Sequence, residues 1–345
     1  MRDVAATANV SIGTVSRVLN RHQDVDRELR QRVESVVRKL GYKLNGRTRA
    51  VVHAKTRIIG LILCNDFGLS PSQSLVLLGV EEHCAWAGYN LLFTRYQAPP
   101  EDTSKAPQLP GIIETPGLAD CFILAGSLDA KLLSAFDSQG LNYVLLANHL
   151  RDESNGQLKS SHVRYDDESG CYEATRYLAQ LGHTSIWYVG DESRAWHRHR
   201  YKGYARAMSE LGLTPHTHAI ALSDEEFENG QAAVSYILDQ QWPVTAILAG
   251  SDEIAFGVRE GLRQHRREVP KDVSLIGMEY QIGRSRGSNL TSVCVDLVQV
   301  GRQLASLAIA QIERSHEQPR GIVVPTSFAK RSTCRPLRRQ ENMLL

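Results

Sequence analysis

From Ile58 onward the chain alternates short apolar runs with amphipathic stretches, and no other feature constrains its fold as strongly. Ile58 to Leu63, Cys121 to Leu124, Tyr143 to Leu146, Ile186 to Val189, Ala246 to Leu248 and Val273 to Ile276 are short and mostly apolar. That is the pattern of parallel strands covered on both faces. Between most of them lie stretches with helical spacing of apolar residues, such as Leu75 to Ala87, Tyr172 to Leu181, Tyr201 to Leu211 and Asp252 to His265. The alternation predicts doubly wound α/β architecture, and its length predicts two such lobes. Ligands of such sheets bind beyond the carboxyl ends of the strands.

The first forty residues read differently. Asp3 to Ala8 is a short alanine-rich helix, and Asn9 and Val10 form a break. Ser11 is an N-cap type opening a second helix that runs to Leu19 or Asn20, with Val15 and either Val18 or Leu19 facing inward. A third helix follows Asp26, with Leu29, Val33, Val36, Val37 and Leu40 on one face and Gly41 at the position of a C-terminal glycine. Three helices of this size match a helix-turn-helix DNA-binding module.

Charge divides along the same boundary. Residues 1–57 carry 13 Lys/Arg against 5 Asp/Glu, a net of +8, whereas the remainder carries 27 against 33, a net of −6. A basic head on an acidic body suits a chain whose one end meets a polyanion. Six scattered cysteines with no CxxC pair predict reduced thiols in a cytoplasmic protein. No apolar run reaches the roughly 20 residues that span a bilayer, so no membrane partner is expected.

Residues 3–20, DVAATANVSIGTVSRVLN, resemble the amino-terminal helix-turn-helix of the lactose/galactose repressor (LacI/GalR) family. The likeness continues in order through VESVVRKLGY (33–42), YEATRYLAQLGHTSIWYVG (172–190), AILAGSDEIAFG (246–257), VPKDVSLIG (269–277), LTSV (290–293) and KRST (330–333). The resemblance implies a small all-α head joined to a two-lobed body resembling periplasmic binding proteins. It divides the chain into a head at 1–42, a hinge at 43–57 and a core at 58–345. The amino-terminal lobe would take about 58–160 and 294–322, and the carboxyl-terminal lobe about 161–293 and 323–340. The implied activity is that of an operator-binding transcriptional repressor, a homodimer on a palindromic double-stranded DNA site, controlled by a small-molecule effector. The short tail RRQENMLL holds no leucine heptad, which favours a dimer over a tail-linked tetramer. Only Met1 and Arg2 precede Asp3, fewer than the family carries, so either the first helix frays or the true start lies upstream.

In the second helix Ile12, Gly13 and Arg17 fall where the family reads bases. The Arg17 guanidinium suits the O6 and N7 acceptors of guanine, and Ile12 suits a thymine methyl. Gly13 costs helix stability, which is expected where backbone approaches a groove closely. The hydroxyls of Ser11, Thr14 and Ser16 suit phosphates, which position without specifying. The alternative for this face is a capping serine and a solvated arginine. In the hinge, Asn45 and Arg49 match the family, while Leu44 replaces its proline, Thr48 its alanine and Val51 its minor-groove leucine wedge. Gly46 and Thr48 are poor helix formers, so this hinge should order only on DNA, with a weaker kink at Val51; the alternative is a plain linker.

For the body, the resemblance assigns effector contacts to Arg200, to Asn148 after its strand, to the Ser251 and Asp252 pair, and to Glu279 in place of a common aspartate. Alternatives remain: Asp252 as a helix cap, Arg200 in an inter-lobe salt bridge. The family's sugar-stacking aromatic is absent, Glu225 standing there, with Trp196 and Phe67 as substitutes. Replacement of Arg200 is expected to abolish effector response and leave operator affinity nearly intact. No GxSxG, P-loop, HExxH or GxGxxG signature is present, so neither enzyme nor cofactor is expected. The HxH pairs His197/His199 and His216/His218 lack a matching ligand set and read as solvated basic loops rather than a metal site. A periplasmic-type sugar-binding protein would share the body, but would have no use for the basic head.

Overall fold

The computed structural model describes residues 2–19, 25–40, 55–64, 69–97, 111–113, 115, 117–128, 130–150, 158, 160–218, 226–239, 243–279, 289–314 and 318–337. The chain forms two compact units, Met1–Thr56 and Arg57–Leu345.

The first unit contains α1 (Arg2–Ala8), α2 (Ile12–Leu19) and α3 (Arg27–Lys39). Val4, Ala5, Ala8, Val15, Val18 and Val33 make its small core. The break between α1 and α2 turns at Asn9, whose φ of 49° is a left-handed conformation that asparagine tolerates. Asp26 caps α3, its Oδ1 accepting the backbone N–H groups of Glu28 at 2.9 Å and Leu29 at 3.2 Å. Of the two candidates for the inner face of α2, Val18 is buried, while the side chain of Leu19 lies outside the described residues. Leu40, expected inward, follows the last turn of α3 and is 46% exposed. Gly41 lies outside the described residues.

The second unit contains two sheets of six strands each. The first runs in the order β11 (Gly321–Val324), β5 (His162–Tyr165), β4 (Tyr143–Leu146), β3 (Cys121–Gly126), β1 (Ile58–Cys64), β2 (Asn90–Tyr96), all parallel. The second runs β12 (Ser327–Ala329), β10 (Thr291–Cys294), β9 (Ser274–Glu279), β8 (Ala246–Ala249), β6 (Ile186–Val189), β7 (His216–His218), parallel except for β12 at its edge. Both therefore repeat the doubly wound order 2-1-3-4-5, which places a topological switch point between β1 and β3 in one sheet and between β6 and β8 in the other.

The helices are α4 (Pro71–Trp86), α5 (Ala130–Ser138), α6 (Asp167–Gln180), α7 (Ala195–Glu210), α8 (Glu226–Asp239), α9 (Asp252–Gln264) and α10 (Leu297–Glu313). They cover the sheets in packed pairs: α4 with α10, α6 with α7, α8 with α9. Pair contact is close enough that a Cβ on Gly79 of α4 would overlap the backbone carbonyl of Val298 in α10, and one on Gly301 would overlap that of Val76. The central strands β1, β3, β4, β6 and β8 bury nearly every residue, which explains their apolar sequences. The edge strands are more exposed and their apolar runs shorter: Leu91–Phe93 in β2 and Ile322–Val324 in β11, with none in β7 or β12.

The chain passes between the sheets three times, after Tyr165, after Cys294 and after Val324. This corrects the lobe limits drawn from sequence. His162–Tyr165, assigned beyond residue 160 to the carboxyl-terminal lobe, is hydrogen-bonded into the first sheet beside β4 and β11. Val323 and Val324 belong to that sheet as well.

Candidate functional site

In the first unit, α2 presents two faces. Val15 and Val18 are buried, whereas Ile12, Gly13 and Arg17 are exposed and Thr14 is half-buried. Ser11 is the cap of this helix: its Oγ accepts the Thr14 N–H at 3.0 Å and lies 2.9 Å from Thr14 Oγ1. A Cβ on Gly13 would meet only Ser11 Oγ, at an ordinary 3.5 Å, so nothing described in this unit requires glycine there. The side chain of Ser16 and all of Asn45, Arg49 and Val51 lie outside the described residues. What remains is a short, exposed helical surface with one arginine and one isoleucine at its centre, in a unit whose Lys and Arg outnumber its Asp and Glu.

In the second unit, four of the body residues singled out in the sequence gather at the carboxyl ends of β4 and β8. Asn148, in the turn after β4, is buried and its amide is fully engaged: Nδ2 donates to Tyr165 O at 2.8 Å and to Asp167 Oδ1 at 3.2 Å, and Oδ1 accepts the Tyr165 N–H at 2.8 Å. Asp167 opens α6 and turns its other oxygen to Arg200 of α7, Oδ2 to Nε 3.4 Å. Arg200 is wholly buried, and its Nη1 donates to Gly250 O just past β8. Burial pushes the Asp167 carboxyl up to about 6, against the opposing pull of the Arg200 and His199 charges. Asn148, Asp167, Arg200 and Gly250 therefore form one continuous polar connection between the loop after the first sheet's β4 and the strand ends of the second sheet.

Ser251 extends this connection. Its Oγ caps α9 by accepting the Ile254 N–H at 3.1 Å and donates to Glu226 Oε2 at 2.6 Å. Capping therefore falls to Ser251, and Asp252 instead accepts from Ser292 Oγ at 3.1 Å. Glu279 ends β9, paired with Cys294 of β10; its side chain, like Phe67 and Glu225, lies outside the described residues. Trp196 sits in the first turn of α7 with the Arg194 guanidinium 5.6 Å from its ring centroid.

Beyond β6 lies a small polar cavity lined by Val189, Gly190, Asp191, Arg194, His197, Glu226, Asn229, Ala233 and Ile254. The structure corrects the reading of both HxH pairs as solvated loops. His197 lies in α7 and is 1% exposed, its Nδ1 accepting the Asp191 N–H at 2.7 Å. His216 lies in β7 with its ring stacked on Trp187 at 5.1 Å. Burial and the neighbouring Arg200 and Arg194 charges hold the His197 ring well below the usual imidazole range. Among the described residues no cluster of three His, Cys, Asp or Glu side chains is placed to hold a metal ion. Burial pushes the Cys121 and Cys171 thiols up to about 12, which leaves them unreactive.

Sequence reasoning did not single out Asp167, His197 or Glu226 as site residues. Asp167 had a usable signal: two aspartates directly follow the short run HVRY and open a helix. His197 stood out only in an HxH pair set aside as a solvated loop, and Glu226 carries no signal, because only the tertiary fold brings the two together.

Residues 1–45 match the family model of bacterial regulatory proteins, lacI family, and residues 175–334 match the periplasmic binding protein-like domain. The chain is 27% identical over 339 residues to the ribose operon repressor of Haemophilus influenzae, covering 96% of this chain and 98% of that protein. In fold it is similar to the lac repressor dimer bound to operator and the anti-inducer ONPF, with a TM-score of 0.76 at 19% identity, covering 96% of this chain and 98% of the other. It is also similar to a transcriptional regulator CelR–cellobiose complex, with a TM-score of 0.69 at 24% identity over 96% and 98%. Among the described residues no helix is long and apolar enough to cross a membrane.

Proposed function

Because the chain belongs to the lacI family of bacterial regulatory proteins, with that family's helix-turn-helix followed by a periplasmic-binding-protein-like body, we propose that it is a sequence-specific transcriptional repressor. It binds a palindromic operator as a homodimer, and a small molecule held at the strand ends of the body modulates its affinity. It performs no catalytic step and acts in the cytoplasm, where its DNA target is.

The observation that carries this reading is the split of α2 into a buried Val15/Val18 face and an exposed Ile12/Gly13/Arg17 face. An amphipathic helix of this kind, one turn past a first helix, is the element that enters a major groove. Arg17 reads guanine and Ile12 contacts a thymine methyl, while Ser11, Thr14 and Ser16 serve phosphates. Asn45, Arg49 and Val51 act in the hinge, which orders on DNA.

The effector is a sugar or related metabolite, as the names of the ribose repressor and the cellobiose complex suggest for those proteins. Asn148, Arg200, Ser251, Asp252 and Glu279 frame its site. Given that the Asn148 amide and the Nε and Nη1 of Arg200 are bonded to protein partners, their part is to position the lobes as well as to meet the ligand. Effector binding favours one arrangement of the lobes and so shifts operator affinity by its differential affinity for the two states.

Selection from randomised DNA with the full chain tests the first claim: a palindromic motif is expected, and absence of palindromic enrichment refutes it. Release or tightening of the selected DNA by a panel of sugars, nucleosides and sugar acids tests the second.

A further inference from the structure

The chain enters the second unit at Arg57, and that residue is held from three sides. Its carbonyl accepts the Asn90 N–H at 2.8 Å, at the head of the β1–β2 ladder. On the β3 side the Asp120 N–H donates to Ile58 O at 2.8 Å, and the Arg57 N–H donates to a side chain, Asp120 Oδ2 at 2.8 Å. The carbonyl of Arg57 therefore bonds toward β2 and its N–H toward β3, whereas in a continuing strand both would face the same neighbour. The twist between them is a φ of 56°, a left-handed conformation that residues other than Gly, Asn and Asp seldom adopt. The side chain supplies the third contact: its guanidinium lies 5.7 Å from the ring centroid of Tyr89, a buried residue in the turn between α4 and β2.

β1 thus does not run on into the segment before it. One strained φ and contacts with the starts of β2 and β3 set the direction in which the chain leaves the sheet. Packing does not call for this arrangement, since Arg57 is exposed and Asp120 half-buried, and a glycine would take the same φ without strain. Strain held in place by its surroundings suits a role in the direction of the chain. Upstream of Arg57 the chain leads to the head. On an operator two heads must stand over two half-sites at one separation, because half-site spacing mirrors the two-fold symmetry of the dimer. Once the hinge is ordered on DNA, a change of direction at Arg57 is carried to the head and repeated in the second copy.

We infer that Arg57 and Asp120 are positioning residues that fix the direction of the chain between body and head, and so select the half-site spacing that the dimer accepts. This rests on the operator reading above and adds to it what determines the spacing.

The test uses the full chain and duplexes carrying the half-sites recovered by selection from randomised DNA, with the centre lengthened or shortened by one or two base pairs. Fluorescence anisotropy measures the affinity for each. The parent is expected to bind one spacing at least 10-fold more tightly than its neighbours. Arg57→Val, whose β-branched side chain disfavours a positive φ, and Asp120→Ala, which removes the acceptor, should lower that ratio to 3-fold or less or move the optimum. Arg57→Asn, which tolerates the left-handed conformation, and Asp120→Asn, which keeps an acceptor oxygen for the Arg57 N–H, should retain it. Base preference within each half-site should stay the same in every variant, which separates lost spacing from a general loss of affinity. Melting temperatures report folding. Arg57→Gly takes a positive φ without strain but frees the direction of exit, so its ratio should also fall, and it serves if Arg57→Val or Asp120→Ala does not fold. Folded disruptive variants that keep the parent's optimum and ratio overturn the inference and leave the operator reading standing. So does a parent that binds every spacing alike. If selection returns no palindrome, the operator reading itself fails and the spacing claim with it.

Discussion

Asp167 and Arg200 form an ion pair inside the second unit, Oδ2 to Nε 3.4 Å, with side chains 3% and 0% exposed. The pair joins the first turn of α6 to α7, and it is completed by Asn148 on one side and Gly250 on the other. Removing one member of such a pair leaves the other charge buried without compensation, at a cost of about 3–5 kcal/mol. Arg200→Ala is therefore expected to destabilise the full chain by that order in urea unfolding. Asp167→Leu combined with Arg200→Met should recover part of the loss. Sequence reasoning expected operator affinity to survive replacement of Arg200; the structure adds a folding defect that lowers the active concentration. A change below about 1 kcal/mol in Arg200→Ala would mean the pair is not structural.

Arg17→Ala is expected to cost about 1–3 kcal/mol of specific operator binding and to relax preference at one base pair per half-site. Selection from randomised operators with the variant measures both. Unchanged base preference would remove Arg17 from the set of base-reading residues.

Ser11→Ala removes the cap of α2. About 1 kcal/mol of helix stability is expected to go with it, since the Thr14 N–H loses its side-chain acceptor. Binding should fall for all DNA sequences alike, because a frayed α2 misplaces every contact together. Competition assays against specific and non-specific duplexes separate this from a base-reading defect, which would change their ratio.

Gly79→Ala inserts a methyl group into the α4–α10 contact, where it overlaps the Val298 carbonyl. Overpacking of this kind costs typically about 1–3 kcal/mol. The thermal midpoint should drop accordingly, whereas Gly140→Ala, where a Cβ would meet nothing within 4 Å, should show only the smaller strain of its φ of +64°.

Acid sensitivity is the fifth expectation. The native His197 ring titrates well below its ordinary 6.5, so the folded chain binds fewer protons there than the unfolded chain. Its contribution is present above about pH 6.5 and is lost as pH falls below that value. Asp167 acts in the opposite sense: with its native value at about 6 against 3.8, its contribution is greatest below 3.8 and is lost as pH rises through 6. His197→Gln should therefore lose less stability than the parent between pH 7.5 and 5.5 in chemical denaturation. Parallel losses in the two proteins would show that the burial of His197 does not set the acid limit.

The strands readable in the sequence share one property, strong and nearly unbroken burial, and the helices one buried face. Tyr143–Leu146 and Ile186–Val189 agree with observed strands residue for residue, because a central parallel strand must be apolar on both faces. His162–Tyr165 and His216–His218 escaped notice because an edge or crossover strand needs no apolar run; its partners are set by the lobes it connects. Arg200 and Ser251 stood out by position, yet their partners Asp167 and Glu226 lie 33 and 25 residues away.

Residue order alone determined a basic three-helix head, a doubly wound body of two lobes, and the amphipathic α2 proposed to face DNA, because each follows from local periodicity, capping and charge. Tertiary structure decided which strands belong to which sheet, that Arg200 is neutralised by Asp167, and that His197 and Glu226 meet across one cavity. Those facts depend on contacts between segments distant in sequence, and no local pattern encodes a donor and an acceptor 3.7 Å apart.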